Sequence, residues 1–215
     1  MTENQALAAR GDLEADLSPR ELVIVRGAYR VIARQGGHRL SLQDIADEAG
    51  VSKGLILYHF KNKDNLLLTT MTWALVRTAE RIRKGIEGVG DPHAAVQALI
   101  DAVWIGPEQN RDFYLLYLDL IEHAARVPSF RGLPTVTREI IEGLYAEIIR
   151  EGVAQRVFAV ADADETAATM RAFVEGTFLQ WLQQPDWREA HPRYRSRCHE
   201  GLLRLLGSGQ PQGQP

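Results

Sequence analysis

The chain has one cysteine in 215 residues, Cys198, so no disulfide can close within it, which suits a reducing cytoplasm. The expectation for that thiol is a buried structural group. No apolar run approaches the roughly 18 residues of a membrane span. The start, "MTENQALAARGDLEADLSPR", lacks both a basic n-region and an apolar h-region. Export and membrane insertion are not expected. Strand signals are nearly absent. So are a Gly-rich phosphate loop, an HExxH pair and a cysteine cluster, and the six histidines are dispersed. Glu122-His123 with His93 comes nearest to a metal site and is set aside. The sequence therefore predicts neither an enzyme nor a cofactor or metal.

The net charge of −3 conceals an asymmetry. Residues 18–84 hold 12 Lys+Arg against 6 Asp+Glu, while residues 85–215 hold 12 against 18. A basic segment is thus joined to an acidic remainder. Such a local excess attracts phosphate, although a solvated helical face can carry the same charge with no ligand.

Helix signals recur throughout. Ser18, Pro19 and Glu21 have the spacing of a capping box, which predicts a helix through "ELVIVRGAYRVIARQ" stopping at Gly36-Gly37. Ser41 caps "LQDIADEA", which stops at Gly50. Ser52 caps a third helix, and a fourth runs from about Lys63 to Gly85 or Gly88. Asp91-Pro92 then opens "HAAVQALIDAVW", closed by Gly106-Pro107. "RDFYLLYLDLIEHAAR" is apolar on nearly every side, as a central bundle helix would be, and Pro128 ends it. "LPTVTREIIEGLYAEIIREG" follows. Asp162 and Glu165 start a long helix that Pro185 stops, and His191-Pro192 precedes a last helix over 193–206. The expected fold is all-α. Residues 1–17 form a disordered arm, 18–62 a helix-turn-helix domain, 63–206 a helical regulatory and dimerisation domain with 63–88 as connecting helix, and 207–215 a disordered tail.

The third helix poses a problem. Between Ser52 and Phe60 there is room for about two turns, yet Leu55, Ile56, Leu57, Tyr58 and Phe60 all fall within it. At about 100° per residue, Ile56 and Phe60 share one side, and Gly54 and Tyr58 share the other. Three short helices with "IADEAGVSKG" at the second turn meet the demands of a helix-turn-helix. Ala46 is small at the crossing, Gly50 permits the turn, and Ile45, Val51, Ile56 and Phe60 point inward. The outward face, with Tyr58 between Leu57 and His59 and flanked by Lys53 and Lys61, then suits a major groove.

At these residues the sequence resembles the TetR family of bacterial transcriptional regulators. The matching positions are Ile45, Ala46, Ala49 to Ser52, Gly54, Tyr58 to Phe60 and Lys63 to Leu67, within a stretch from Arg20 to Leu68 that also carries Ala28 and Gly36. "FVEGTFLQWL" resembles BetI-type members. The resemblance implies that Lys53, Gly54, Leu55, Leu57, Tyr58 and His59 line the groove. It also implies that Ser41, Ser52 and Lys63 touch phosphates or the helix ends beside them. One departure is Leu57, where many members have tyrosine, so one contact is missing and the operator sequence is not transferable.

The C-terminal part offers Trp104, Phe113, Tyr114, Tyr117, Phe173, Phe178 and Trp181 in four helices, with Asp119, Glu122 and His123 as a polar sector. Core packing explains each aromatic singly. Family resemblance implies a small-molecule inducer among them, and aromatics beside carboxylates suit a cation, while an apolar ligand fits the same residues. Ala168, Ala172 and Gly176 form a small-residue stripe, and Leu202, Leu205 and Leu206 a neighbouring apolar surface. Together they predict a two-fold four-helix interface. The reading is a cytoplasmic, homodimeric repressor on a palindromic double-stranded operator. A helical protein-interaction module and an unrecognised helical enzyme are the alternatives.

Overall fold

Every helix of the amino-terminal part starts where a side chain can satisfy free backbone donors. In the computed structural model, which describes residues 17–35, 40–126, 135 and 137–207, α1 spans Pro19–Gln35. Glu21 Oε2 accepts from the Ser18 N–H at 2.8 Å and from its hydroxyl at 2.7 Å, and the Glu21 N–H donates to Ser18 Oγ at 3.3 Å. This is the capping box read from sequence. Ile24, Val25, Ala28, Val31 and Ile32 form the buried face of α1 at helical spacing.

α2 (Leu42–Ala49) and α3 (Lys53–Phe60) follow, and then α4 (Lys63–Ile86), whose first turn is capped by Asn62 accepting from the Asn65 N–H at 2.8 Å. α5 (Pro92–Val103) begins at Asp91, whose carboxylate accepts from the N–H groups of His93 and Ala94. α6 is Pro107–Arg126. A π-helical turn, Arg138–Glu142, leads into α7 (Gly143–Ala154). α8 (Ala163–Leu182) is capped by Asp162, and α9 is Trp187–Leu205. No strand occurs among the described residues.

α9 begins earlier than the sequence suggests, with Pro192 inside it. The Trp187 carbonyl accepts from Trp181 Nε1, and the Ala190 N–H already donates to the Asp186 carbonyl at 2.8 Å. Pro192 removes one donor, but only after the helix has nucleated, and it lies exposed. The expected stops at Gly36-Gly37 and Pro128, and the expected disorder of 1–16 and 208–215, fall outside the described residues. Gly207, assigned to the tail from sequence, instead closes α9 at φ 68°.

The chain forms two compact units, Met1–Arg77 with Gln109–Ile140, and Thr78–Glu108 with Ile141–Pro215. The division falls inside α4 and near the start of α6, whereas the sequence reading drew its boundary at 62/63. In the first unit α1 packs on α2, and Tyr29 of α1 meets Trp73 of α4 edge to face at 5.7 Å. In the second unit α8 packs on both α7 and α9.

Candidate nucleic-acid interface

Two adjacent caps fix the turn between α2 and α3. Ser41 Oγ accepts from the Asp44 N–H at 3.1 Å, while Asp44 Oδ2 accepts from the Ser41 N–H at 2.8 Å. The Ser41 hydroxyl also donates to Asp44 Oδ2 at 2.7 Å, and this bond first, with that from the Ser41 N–H second, holds the Asp44 carboxyl below its usual range. At the other end of α2, Gly50 adopts φ 65°, a left-handed conformation that side chains resist, and Val51 N–H donates back to the Ala46 carbonyl at 3.0 Å. Two residues on, Ser52 Oγ accepts from the Leu55 N–H at 3.1 Å and starts α3. The hydroxyls of Ser41 and Ser52, both assigned to DNA contact from sequence, are thus employed in the helix ends themselves.

α1 fixes this pair from behind. A side-chain carbon at Gly27 would lie 3.0 Å from Ala49 Cβ, so any larger residue there would push α1 and α2 apart by a few tenths of an ångström. Arg30 Nε pairs with Glu48 Oε1 at 2.6 Å, and Arg34 pairs with Glu48 Oε2. Sequence reasoning found Ala46 at the crossing but missed Gly27, which lies mid-helix without a turn signal.

On this support α3 divides as its pattern requires. Ile56 and Phe60 are 1% and 6% exposed, whereas Tyr58 is 71% exposed and Leu57 38%. Lys53 and Gly54 are exposed as well, with Leu55 between the two faces. A side-chain carbon added at Gly54 would meet only Ser52 Oγ, at 3.8 Å, so nothing inside the protein demands glycine. An open backbone edge beside an exposed tyrosine and Lys53 lets a polyanion approach closely.

His59, assigned to the groove, and Lys63, assigned to phosphates or the helix ends beside them, both have partners inside the chain. His59 Nδ1 lies 3.3 Å from Glu21 Oε1 of α1, and its side chain is only 16% exposed. It tethers the third helix to the first, because at one residue past Tyr58 it projects sideways. Lys63 Nζ donates to the Leu40 carbonyl at 2.6 Å, closing the loop before α2. Lys61 lies at φ 67°, where its N–H donates to the Leu57 carbonyl, its Nζ donates to the Tyr58 carbonyl at 2.9 Å, and its ammonium stands 5.5 Å from the Tyr58 ring centre. The nearby Glu21 carboxyl is held below its usual range. Burial would raise it, but bonds from the Ser18 hydroxyl and N–H and the proximity of His59 outweigh that.

The aromatic residues assigned to a ligand pocket fall into two sets, one in each unit. In the first unit, Phe113, Tyr114 and Tyr117 of α6 form mutual ring contacts with centroids 5.3 to 6.1 Å apart, and Tyr114 and Tyr117 are buried. Asp119 is half-buried, and Glu122 pairs with Arg126 at 2.6 Å. The side chain of His123 lies outside the described residues.

In the second unit, Trp104 stacks on Phe178 at 3.8 Å, with Trp181 edge-on to both. His191, taken from sequence as a loop residue, is buried among them, 5.1 Å from Trp104 and 5.2 Å from Trp181, and burial lowers its pKa. Trp104 Nε1 is buried, with no nitrogen or oxygen partner among the described residues and the Cys198 thiol beside it. Phe173 covers Gly201 of α9 instead of joining this cluster; a side-chain carbon at Gly201 would lie 2.2 Å from its ring. Cys198 is fully buried, and burial pushes its thiol up to about 11. A separate polar cavity of about 160 Å³ lies between α5 and α9, lined by Gln97, Ile100, Arg195, Ser196, His199 and Glu200.

The residues assigned to a dimer interface also separate. Leu202 and Leu206 are fully buried within the unit, so they do not offer the surface expected of them. Their period places them on the α9 face that packs inward. Leu205 is 38% exposed, Ala172 is exposed, and Ala168 and Gly176 are partly exposed; beyond the backbone of its own helix and its chain neighbours, no atom of the described residues lies within 4 Å of a side-chain carbon built on Gly176.

Residues 24–70 match the family model of bacterial regulatory proteins of the tetR family, and residues 92–207 match the C-terminal model of the BetI-type transcriptional repressor. The HTH-type transcriptional regulator BetI of Brucella canis is 23% identical over 195 residues, covering 91% of this chain and 95% of the relative. BetI of Serratia proteamaculans is 24% identical over 164 residues, covering 75% and 80%. Among solved structures, a transcriptional regulator from Saccharomonospora viridis in complex with choline has a TM-score of 0.75 and 26% identity, covering 86% of this chain and 95% of that one. A TetR-family regulator from Rhodococcus has the same fold, with a TM-score of 0.76 at 24% identity, covering 88% and 100%. With the two models together spanning most of the sequence, the chain belongs to the TetR family of bacterial transcriptional regulators, with a BetI-type C-terminal part, and is a DNA-binding regulator.

Proposed function

We propose that the chain is a homodimeric repressor that binds a palindromic operator through the outward face of α3 and leaves it when a small cation binds the regulatory part. The observation that carries the reading is the division of α3. An exposed tyrosine flanked by Lys53, Gly54 and Leu57 stands on a two-turn helix whose other face, Ile56 and Phe60, is anchored in the core. Base edges and thymine methyls are read by such groups, and phosphates by lysine. Leu55, at the edge of the face, completes it, and Lys61 supports it from the helix end.

Dimerisation supplies the two-fold symmetry that a palindrome requires, with recognition helices about 34 to 36 Å apart. The accessible Ala168, Ala172, Gly176 and Leu205 support an interface on α8 and α9, with Leu179, 38% exposed, in place of the buried Leu202 and Leu206. Residues 18–62 serve as the DNA-binding part, and 63–206 as the regulatory part with α4 as connector.

For the ligand, the complex of the Saccharomonospora viridis regulator with choline supports a quaternary ammonium compound. Aromatic faces such as those of Trp104, Phe178 and Trp181 in the second unit attract such a cation, as do those of Phe113, Tyr114 and Tyr117 in the first, where Asp119 or Glu122 would complement it. By linkage the ligand must bind the DNA-free form more tightly. The test is anisotropy of an operator selected from random DNA, titrated with protein at several salt concentrations and then with choline. Salt-dependent binding followed by choline-driven release is expected. Binding that ignores both salt and sequence would refute the DNA reading, and binding unaffected by choline would refute the ligand assignment alone.

A further inference from the structure

The reading face of α3 carries one large group, Tyr58, and three contacts surround it. The His59 ring meets the Tyr58 ring edge to face at 5.1 Å, the Lys61 ammonium stands over it at 5.5 Å, and Lys61 Nζ also donates to the Tyr58 carbonyl at 2.9 Å. Lys61 reaches back from φ 67°, a conformation that side chains disfavour and that persists only where surrounding contacts hold it. His59 is itself fixed, since its Nδ1 faces Glu21 Oε1 at 3.3 Å. The other oxygen of that same carboxylate accepts both the N–H and the hydroxyl of Ser18. One side chain of α1 therefore closes a cap with one oxygen and orients the neighbour of the reading tyrosine with the other.

We infer that Glu21 is a positioning residue for DNA reading: through His59 it sets the tyrosine on the outward face of α3 in place before DNA arrives. The inference rests on that face being the groove face. Fixing the ring in advance removes the ordering cost of binding and restricts the base pairs it can meet, so Glu21 governs sequence preference without touching DNA. Its bond from the Ser18 backbone N–H, which needs no serine side chain, gives the carboxylate a defined rotamer, which a free surface glutamate lacks. Sequence reading identifies Glu21 only as the third member of a capping box.

The test uses the full-length chain and a duplex selected by it from random DNA, with a scrambled duplex as reference, and reads the ratio of the two affinities. Glu21→Ala should lower that ratio about tenfold, the size of one reading contact. Glu21→Gln keeps its amide oxygen as the acceptor for Ser18 and turns its amide N–H to an unprotonated His59 Nδ1, so it should restore the ratio to within about twofold. Ser18→Ala removes half of the cap but leaves the His59 contact, so it should lower thermal stability while leaving the ratio intact. In a Tyr58→Ala background, Glu21→Ala should change the ratio no further.

Several outcomes overturn the proposal. They are an unchanged ratio in Glu21→Ala folded by circular dichroism, an equal loss in Ser18→Ala, or a full further loss in the Tyr58→Ala background. If Tyr58→Ala itself leaves the ratio unchanged, the groove-face reading fails first and the proposal falls with it.

Discussion

Replacing Tyr58 and Phe60 separately with alanine should produce opposite failures, although the two residues lie two positions apart on one short helix. Tyr58 is 71% exposed, so folding withdraws only about 60 Å² of an aromatic side chain of roughly 200 Å² from water. At about 25 cal/mol per Å² this stabilises the fold by at most about 1.5 kcal/mol, and by less once the partly compact unfolded chain is considered. Alanine keeps part of that area, so the stability loss should stay below about 1 kcal/mol. The exposed remainder, about 140 Å², is available to the groove. Its burial sets a ceiling of about 3.5 kcal/mol, consistent with the 1 to 3 kcal/mol expected of a base-reading contact.

Phe60 is 6% exposed, and its truncation leaves a cavity at a cost of about 3 to 5 kcal/mol of stability. Urea unfolding followed by circular dichroism measures the first quantity. Anisotropy on selected and scrambled duplexes measures the second. A Tyr58→Ala variant that stays folded and binds both duplexes as the wild type does would refute the assignment of the reading face. A Phe60→Ala variant of unchanged stability would refute the inward face.

Three further outcomes follow from the same geometry. Lys53→Ala should weaken binding to every DNA sequence alike and reduce the slope of log affinity against log salt by about 1 per subunit; a loss confined to the selected operator would show that Lys53 reads bases. Gly176→Leu places a large side chain on an open part of α8, so the monomer should fold normally while the dimer dissociates; a dimer intact by light scattering at micromolar concentration would place the interface elsewhere. Glu48 has its pKa lowered, first by its bond from Arg30 and then by that from Arg34. A lowered folded value stabilises the fold above the unfolded value, and that contribution disappears as pH falls through the folded one. The gap in thermal midpoint between the wild type and Glu48→Gln should therefore be open at neutral pH and close below the usual glutamate range; a gap constant into acid would mean the ion pairs contribute nothing.

The amino-terminal part was the most legible because its signals are local. Ser18, Ser41 and Ser52 act on donors within three residues of themselves, and Gly50 needs only its own backbone conformation. The two faces of α3 follow from helical period, with Ile56 and Phe60 on one side and Tyr58 on the other. What escaped depends on contacts distant in sequence. His59 has the right residue type for a groove, and only its pairing with Glu21, 38 positions away, shows which way it turns. Lys63 is likewise engaged by a carbonyl 23 positions away. Leu202 and Leu206 look like an interface on a helical wheel, and packing against the rest of the unit decides otherwise. Pro192 misled because a proline commonly marks a helix start, whereas the helix begins six residues before Arg193, at Trp187, whose carbonyl accepts from Trp181 Nε1. The π-helical turn at Arg138–Glu142 has no composition that distinguishes it from the α-helix it joins.

The open position at Gly54 sets stability against the proposed use of α3. Glycine within a helix is less stable than alanine by about 0.5 to 1 kcal/mol, and here no neighbouring atom would obstruct the extra methyl group. A chain optimised only to remain folded would carry alanine at that position, and a stability screen of this protein should recover it. The same methyl would stand on the face proposed to meet DNA, between the backbone and whatever must approach it, so on that proposal the variants that such a screen rewards would be weaker regulators.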